Sequence, residues 1–191
     1  MKYPSILFSL CLALSSGTLY ADDHEHEHEA HGAHEHGAAT LSLAVGTEGL
    51  EIMLESPAAN IVGFEHAATT DADKQKLADT VKKLEAGAEL FSTNTEAGCT
   101  LKNAEVVSAL LGNTEDAAKH DHDHEKSGET HNNMDVTWSF ACTQPAELKE
   151  VAVKLFAAFP DGFQHIKAEW VTEKGASAVE LDKDDTIKLT P

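Results

Sequence analysis

Met134-Asp135-Val136-Thr137-Trp138-Ser139-Phe140-Ala141-Cys142 alternates large apolar residues with polar or small ones. Successive side chains of a strand point to opposite faces, so Met134, Val136, Trp138, Phe140 and Cys142 share one face that must be buried. A strand with one apolar face needs a sheet around it and a second layer over it, and this run therefore decides the fold class. Just upstream, a polar excursion over residues 112–133 holds His120, His122, His124 and His131. Before it, Gly98-Cys99 leads into residues 101–111, read as a strand running into a helical turn. Cys99 and Cys142 thus bracket the excursion, and a bridge between them would pin its base.

Further outward the periodicities are equally plain. Leu41, Leu43 and Val45 alternate, Gly46-Thr47-Glu48-Gly49 is a turn, and Leu50, Ile52 and Leu54 alternate again, which predicts a β-hairpin. Ser56-Pro57 ends it, and residues 58–65 read as irregular. Thr70 or Asp71 caps an amphipathic helix over about 71–89, with Leu77, Val81, Leu84 and Ala88 on its apolar face. Thr143-Gln144-Pro145 starts a second helix, with Leu148, Val151, Leu155 and Phe156 inward and Pro160 and Gly162 as its stop. Residues 164–171, 177–181 and 186–189 read as three strands. The expectation is an α+β domain: a largely antiparallel sheet, two packed helices, one disulfide and two disordered His-rich tracts.

The N-terminus bears on compartment. Met1-Lys2-Tyr3-Pro4, an apolar run over 6–14 and Leu19-Tyr20-Ala21 before Asp22 are the layout of an export signal cleaved after Ala21. Cys11 would leave with that segment. The two remaining cysteines are the number one bridge requires in an oxidising compartment, worth roughly 3–4 kcal/mol on chain-entropy grounds. The alternatives are two separate buried thiols, or thiols that hold zinc. The expected organisation is a signal peptide over 1–21, a disordered His/Glu-rich tract over 22–39, and a single metal-binding domain over 40–191 with a mobile loop at about 112–133.

Formal net charge is −19 and the chain contains no arginine. Nucleic-acid recognition and docking on anionic membranes both need dense basic surface, so neither fits. The sign suits attraction of cations. Glycine-rich phosphate loops, nucleotide fingerprints, nucleophile elbows and a Cys-x-x-Cys pair are absent from the sequence. Without a nucleophile or a third spaced ligand beside Glu65-His66, a zinc hydrolase is the weakest reading and no enzymatic activity is expected.

What stands out is histidine. Of the twelve, His24, His26, His28, His31, His34 and His36 lie in the first tract and His120, His122, His124 and His131 in the second. Imidazole is a neutral, borderline donor that suits Zn²⁺, with Ni²⁺, Co²⁺ and Cu²⁺ as alternatives. Rings recurring at every second residue, with Glu or Asp between them, can converge on one ion while the carboxylates orient the rings and offset the charge. Solvation alone would not call for so many rings. His66 follows Gly63-Phe64-Glu65 between folded elements, and with His131 and Glu65 it is a candidate for a better-ordered site. His165 opens a strand and is the weakest candidate ligand. A buffer or detoxification protein for excess Zn, Ni or Cu is the main rival to a zinc-acquisition role, and composition does not separate the two.

Several blocks carry a resemblance. Ser56-Pro57-Ala58-Ala59-Asn60-Ile61-Val62-Gly63-Phe64-Glu65-His66, Gly98-Cys99, the second His-Asp tract, Trp138-Ser139-Phe140-Ala141-Cys142, Leu155-Phe156-Ala157-Ala158-Phe159-Pro160 and Ala178-Val179-Glu180-Leu181 are similar to a bacterial family of zinc-regulated, histidine-rich periplasmic zinc-binding proteins, formerly a domain of unknown function. The resemblance covers nearly all of the chain after residue 21. It implies expression under zinc limitation, zinc binding in the periplasm, and cooperation with a zinc ABC importer through its solute-binding protein. It also points to His66, His131 and the tract histidines as ligands. Thr130-His131-Asn132-Asn133 departs from the family, where an acidic or serine residue after the histidine is more typical.

Overall fold

The computed structural model describes residues 35–112 and 132–189. The alternating run is β5 (Asn133–Cys142), flanked by β2 (Gly49–Pro57) on one side and β4 (Cys99–Val107) on the other, both antiparallel to it. β1 (Ala38–Val45) forms the expected hairpin with β2 and takes in Ala38 and Ala39 as well. Beyond β1 lie β7 (His165–Thr172), paired parallel to it, and β8 (Gly175–Leu181), antiparallel to β7. The six-stranded sheet runs β4-β5-β2-β1-β7-β8. Leu43 faces Ile52, Ile52 faces Trp138, and Leu43 faces Trp170 across the parallel pair. All four are buried, so slipping any of these strands by one residue would expose its apolar set.

Residues 58–65 are not wholly irregular. Ala58–Val62 forms one helical turn, α1, which Gly63 ends in a left-handed conformation at φ 83°. α2 (Asp71–Glu85) starts as expected: the Thr70 hydroxyl accepts from the Asp73 N–H at 3.1 Å, and the Asp73 carboxylate accepts from the Thr70 N–H at 3.3 Å. This reciprocal cap satisfies two N–H groups that the first turn leaves unpaired. Leu77 and Leu84 then pack inward. The helix stops short of the expected residue 89, and Gly87–Leu90 forms a separate turn, α3. Trp138 is the reason. Its indole N–H donates to the Leu84 carbonyl at 2.6 Å, the group a continuing helix would offer to Ala88. A Cβ on Gly87 would stand 2.3 Å from the indole ring.

A smaller sheet holds β3 (Phe91–Thr93), β6 (Glu150–Val153) and β9 (Asp185–Lys188), with β6 in the middle. Phe91, Val151, Val153 and Ile187 belong to the same buried cluster as the inner face of the large sheet. Here the expectation of a second packed helix fails. Pro145–Glu147 is a single 3-10 turn, β6 follows it, and only the four-residue α4 (Leu155–Ala158) is helical. Leu148, Val151 and Leu155 do have helical spacing. But Val151 and Val153 also alternate with Glu150 and Ala152, and two neighbouring strands, antiparallel to this one, favour the extended form. Asp184 caps α4 by accepting from the Phe156 and Ala157 N–H groups at 2.9 and 3.1 Å. The architecture is mixed α+β with a largely antiparallel sheet and one substantial helix.

Cys99 and Cys142 stand directly opposite each other in the β4–β5 register and are disulfide-bonded. Both are half-buried, so the bridge lies at the margin of the core.

Candidate metal centre

The N-terminal tract enters the fold at His36-Gly37-Ala38, and one buried side chain receives it. Asn60, 5% exposed in α1, accepts from the Gly37 N–H at 2.8 Å through its carbonyl. Its amide group donates to the Ala38 carbonyl at 2.8 Å and to the Ser56 hydroxyl at 3.1 Å. The Gly37 carbonyl in turn accepts from the Gln164 and His165 N–H groups at 2.7 and 3.1 Å. Gly37 has φ 91°, and a Cβ there would press on the Gln164 side chain at 2.8 Å. The left-handed backbone is what favours glycine here, since the exposed Gln164 side chain could move aside.

These bonds place His36. Its Nε2 is 3.3 Å from Glu65 Oε1, with the histidine side chain 65% exposed and the glutamate only 15%. The backbone of Glu65 is tied in as well, because the Asn132 amide donates to its carbonyl. The Asn132 carbonyl accepts from the Ala58 N–H at 2.8 Å. Asn132 directly follows His131, so the foot of the second tract is fastened to the same segment that receives the first. The segment over 58–66 is where the two His-rich stretches meet the fold.

His66 projects from this segment into solvent. Its ring stacks on Phe64 with centroids 4.8 Å apart, and its Nδ1 lies 3.1 Å from the Ala67 carbonyl. With the proton on Nδ1 donated to that carbonyl, Nε2 keeps the lone pair that a metal ion would take. The Asp73 carboxyl is held below its usual range chiefly by the Thr70 hydroxyl, with His66 a smaller contributor. His165 brings its backbone to Gly37 but is half-buried at the head of β7, in register with Ala38. His24, His26, His28, His31, His34, His120, His122, His124 and His131 lie outside the described residues. Among the described residues, no three His, Cys, Asp or Glu side chains gather into a ready-made cage. The His36 and Glu65 side chains make an imidazole–carboxylate contact among them.

Glu55 and Asp135 face each other across β2 and β5. Burial pushes the Asp135 carboxyl up, and the Glu55 charge opposite adds to the shift. The sequence reading missed Asn60 and Asn132 as positioning residues. The available signal was the one polar residue inside the apolar run Ala58-Ala59-Asn60-Ile61-Val62.

The fold and this site define a class: a disulfide-linked α+β body that offers imidazole and carboxylate donors where histidine-rich segments enter it. The family model described as ZrgA family zinc uptake protein matches residues 33–189, and the chain belongs to that family. Its function is zinc uptake. No curated protein matches the chain. Among the described residues, no helix is long and apolar enough to cross a membrane.

Proposed function

We propose that the protein captures Zn²⁺ in the periplasm and passes it toward a zinc ABC import system by way of that system's solute-binding protein. Residues 1–21 act as the export signal, 22–39 as a collecting tract, and 40–191 as the body, with a second tract over about 112–133. His24, His26, His28, His31 and His34, with His120, His122 and His124, offer many exchangeable donors. His36, Glu65, His66 and His131 form the longer-lived site, and His165 is a peripheral donor. Nickel, cobalt and copper(II) compete for the same nitrogens, while membership of a zinc uptake family favours zinc as cargo. The protein works as a carrier and catalyses no reaction.

The observation that carries this reading is the His36–Glu65 pair on a segment whose backbone accepts from the residue after His131. A ligand-exchange carrier needs a few fixed donors beside many mobile ones, so that an ion can be held and then surrendered. The test is calorimetric zinc titration of the mature protein against the His36→Ala/His66→Ala/His131→Ala variant. The tightest step is expected to weaken by roughly tenfold or more, with the weaker tract steps retained. An unchanged tightest step would remove the ordered site from the account. Growth of a deletion strain under chelation separates acquisition from buffering: capture predicts a growth defect, and buffering of excess metal predicts none.

A further inference from the structure

Leu41, Leu54, Val136 and Ile166 turn into the core, so the alternating residues Thr40, Glu55, Asp135 and Lys167 stand on the opposite, solvent side of the large sheet. The pairing sets Asp135, Glu55, Thr40, Lys167 and Glu180 in one row across β5, β2, β1, β7 and β8. The next row runs Glu105, Thr137, Met53, Ser42 and Glu169, and the one after has Glu51 and Val171 on either side of Ala44. An open trough of about 530 Å³ lies over these last two rows, floored by Ala44, Met53, Val171 and Ala176 and rimmed by Glu51 and Glu169. Met53 is 39% exposed and Val171 52%. The charge here is one-sided. Lys167 is taken up by Glu169 at 3.3 Å, and among the described residues no lysine stands within ion-pair distance of Glu51, Glu55, Glu105 or Asp135. Carboxylates directly opposite each other cost stability, as Glu55 and the half-buried Asp135 must. Cationic groups set among them would remove that cost. The chain itself is a poor source of them. Residues 22–34 carry Asp22, Asp23, Glu25, Glu27 and Glu29 without a lysine, and residues 113–131 set Lys119 and Lys126 against six carboxylates. A second copy would bring the same acidic face.

We propose that this sheet face docks a different protein, one that presents lysine or arginine side chains around an apolar centre. Resting on the function proposed above, that partner is the solute-binding protein of the zinc importer. Met53 and Val171 meet its apolar centre, and Glu51, Glu55 and Asp135 meet its cations. The position suits transfer of an ion. His36 is four residues before Thr40 and so at most about 14 Å from it, while Ala44 lies about 13 Å away in the other direction along β1. A standard interface covers roughly 800 Å² of each partner, a disc about 30 Å across. Centred on the Thr40–Glu55 pair, such a partner covers the trough and reaches the His36–Glu65 contact.

Binding of the metal-stripped mature protein to the metal-stripped solute-binding protein, followed by surface plasmon resonance in chelator, tests the face without zinc as a bridge. Association is expected to slow as salt is raised. Glu51→Lys/Glu55→Lys should weaken binding roughly tenfold or more, chiefly through a slower on-rate. The same variant should unfold at higher urea than the wild type, because the introduced ammonium faces Asp135, so lost binding would not be lost folding. Met53→Ser should weaken binding roughly fivefold through the apolar contact. Glu85→Lys/Glu89→Lys changes the net charge equally at exposed positions of the helical segment and should leave binding as it is. Binding that survives Glu51→Lys/Glu55→Lys, or that falls as far with Glu85→Lys/Glu89→Lys, would overturn the docking face and leave the choice of partner standing. A wild type that does not bind the solute-binding protein would overturn both. Self-association of the wild type in the same buffer, lost in Glu51→Lys/Glu55→Lys, would give the face to a second copy and overturn the proposal as well.

Discussion

Asn60→Ala is expected to lower the stability of the protein by roughly 2–4 kcal/mol, on the cost of leaving buried backbone groups without partners. The substitution removes one acceptor and two donors at once. The Gly37 N–H and the Ala38 carbonyl lose their partner, and the Ser56 hydroxyl loses a donor. At 5% exposure, Asn60 leaves little room for water to replace it. The change also reaches function. Gly37 is the residue after His36, and without its tether the His36 ring is no longer held 3.3 Å from Glu65. Urea unfolding should show a lower midpoint with an unchanged slope, and the tightest zinc step should weaken with it. A variant as stable as the wild type would show that Asn60 does not hold the first tract in place.

The second large effect concerns the bridge. Cys99 and Cys142 are separated by 43 residues, and closing a loop of that length restricts the unfolded chain by about 4 kcal/mol on the entropy model. Cys99→Ser/Cys142→Ser should therefore unfold at markedly lower urea. β4 is an edge strand whose head is joined to β5 by that bond alone among covalent links. The loss should appear first as faster hydrogen exchange along β4. Equal midpoints for the oxidised protein and the double variant would mean that the β4–β5 ladder needs no cross-link.

The strands that were legible in the sequence are those in which two signals agree. β5 has period-two alternation together with Val, Trp and Phe, and the β1–β2 hairpin has alternation on both sides of a glycine turn. β6 was illegible for the converse reason. Its apolar residues satisfy helical spacing through Leu148, Val151 and Leu155, and the strands that decide the matter come from residues 91–93 and 185–188, far along the chain. The early end of α2 likewise depends on an indole delivered by β5. The site divides in the same way. Histidine density, the Glu65-His66 pair and the bracketing cysteines could be read from residue types alone. The clip made by Asn60 and the fastening of Asn132 onto Glu65 could not, because an asparagine becomes a clip only when remote backbone is folded against it.

The proposed capture requires that imidazole and carboxylate groups of this protein take up zinc directly. The most direct measurement is competition of the metal-stripped mature protein with a weak chromogenic zinc chelator at neutral pH, repeated at lower pH. The account predicts transfer of several zinc equivalents to the protein, with graded affinities that fall as the pH drops and protons displace the ion from the ring nitrogens. A chelator that keeps all of its zinc at neutral pH would contradict it.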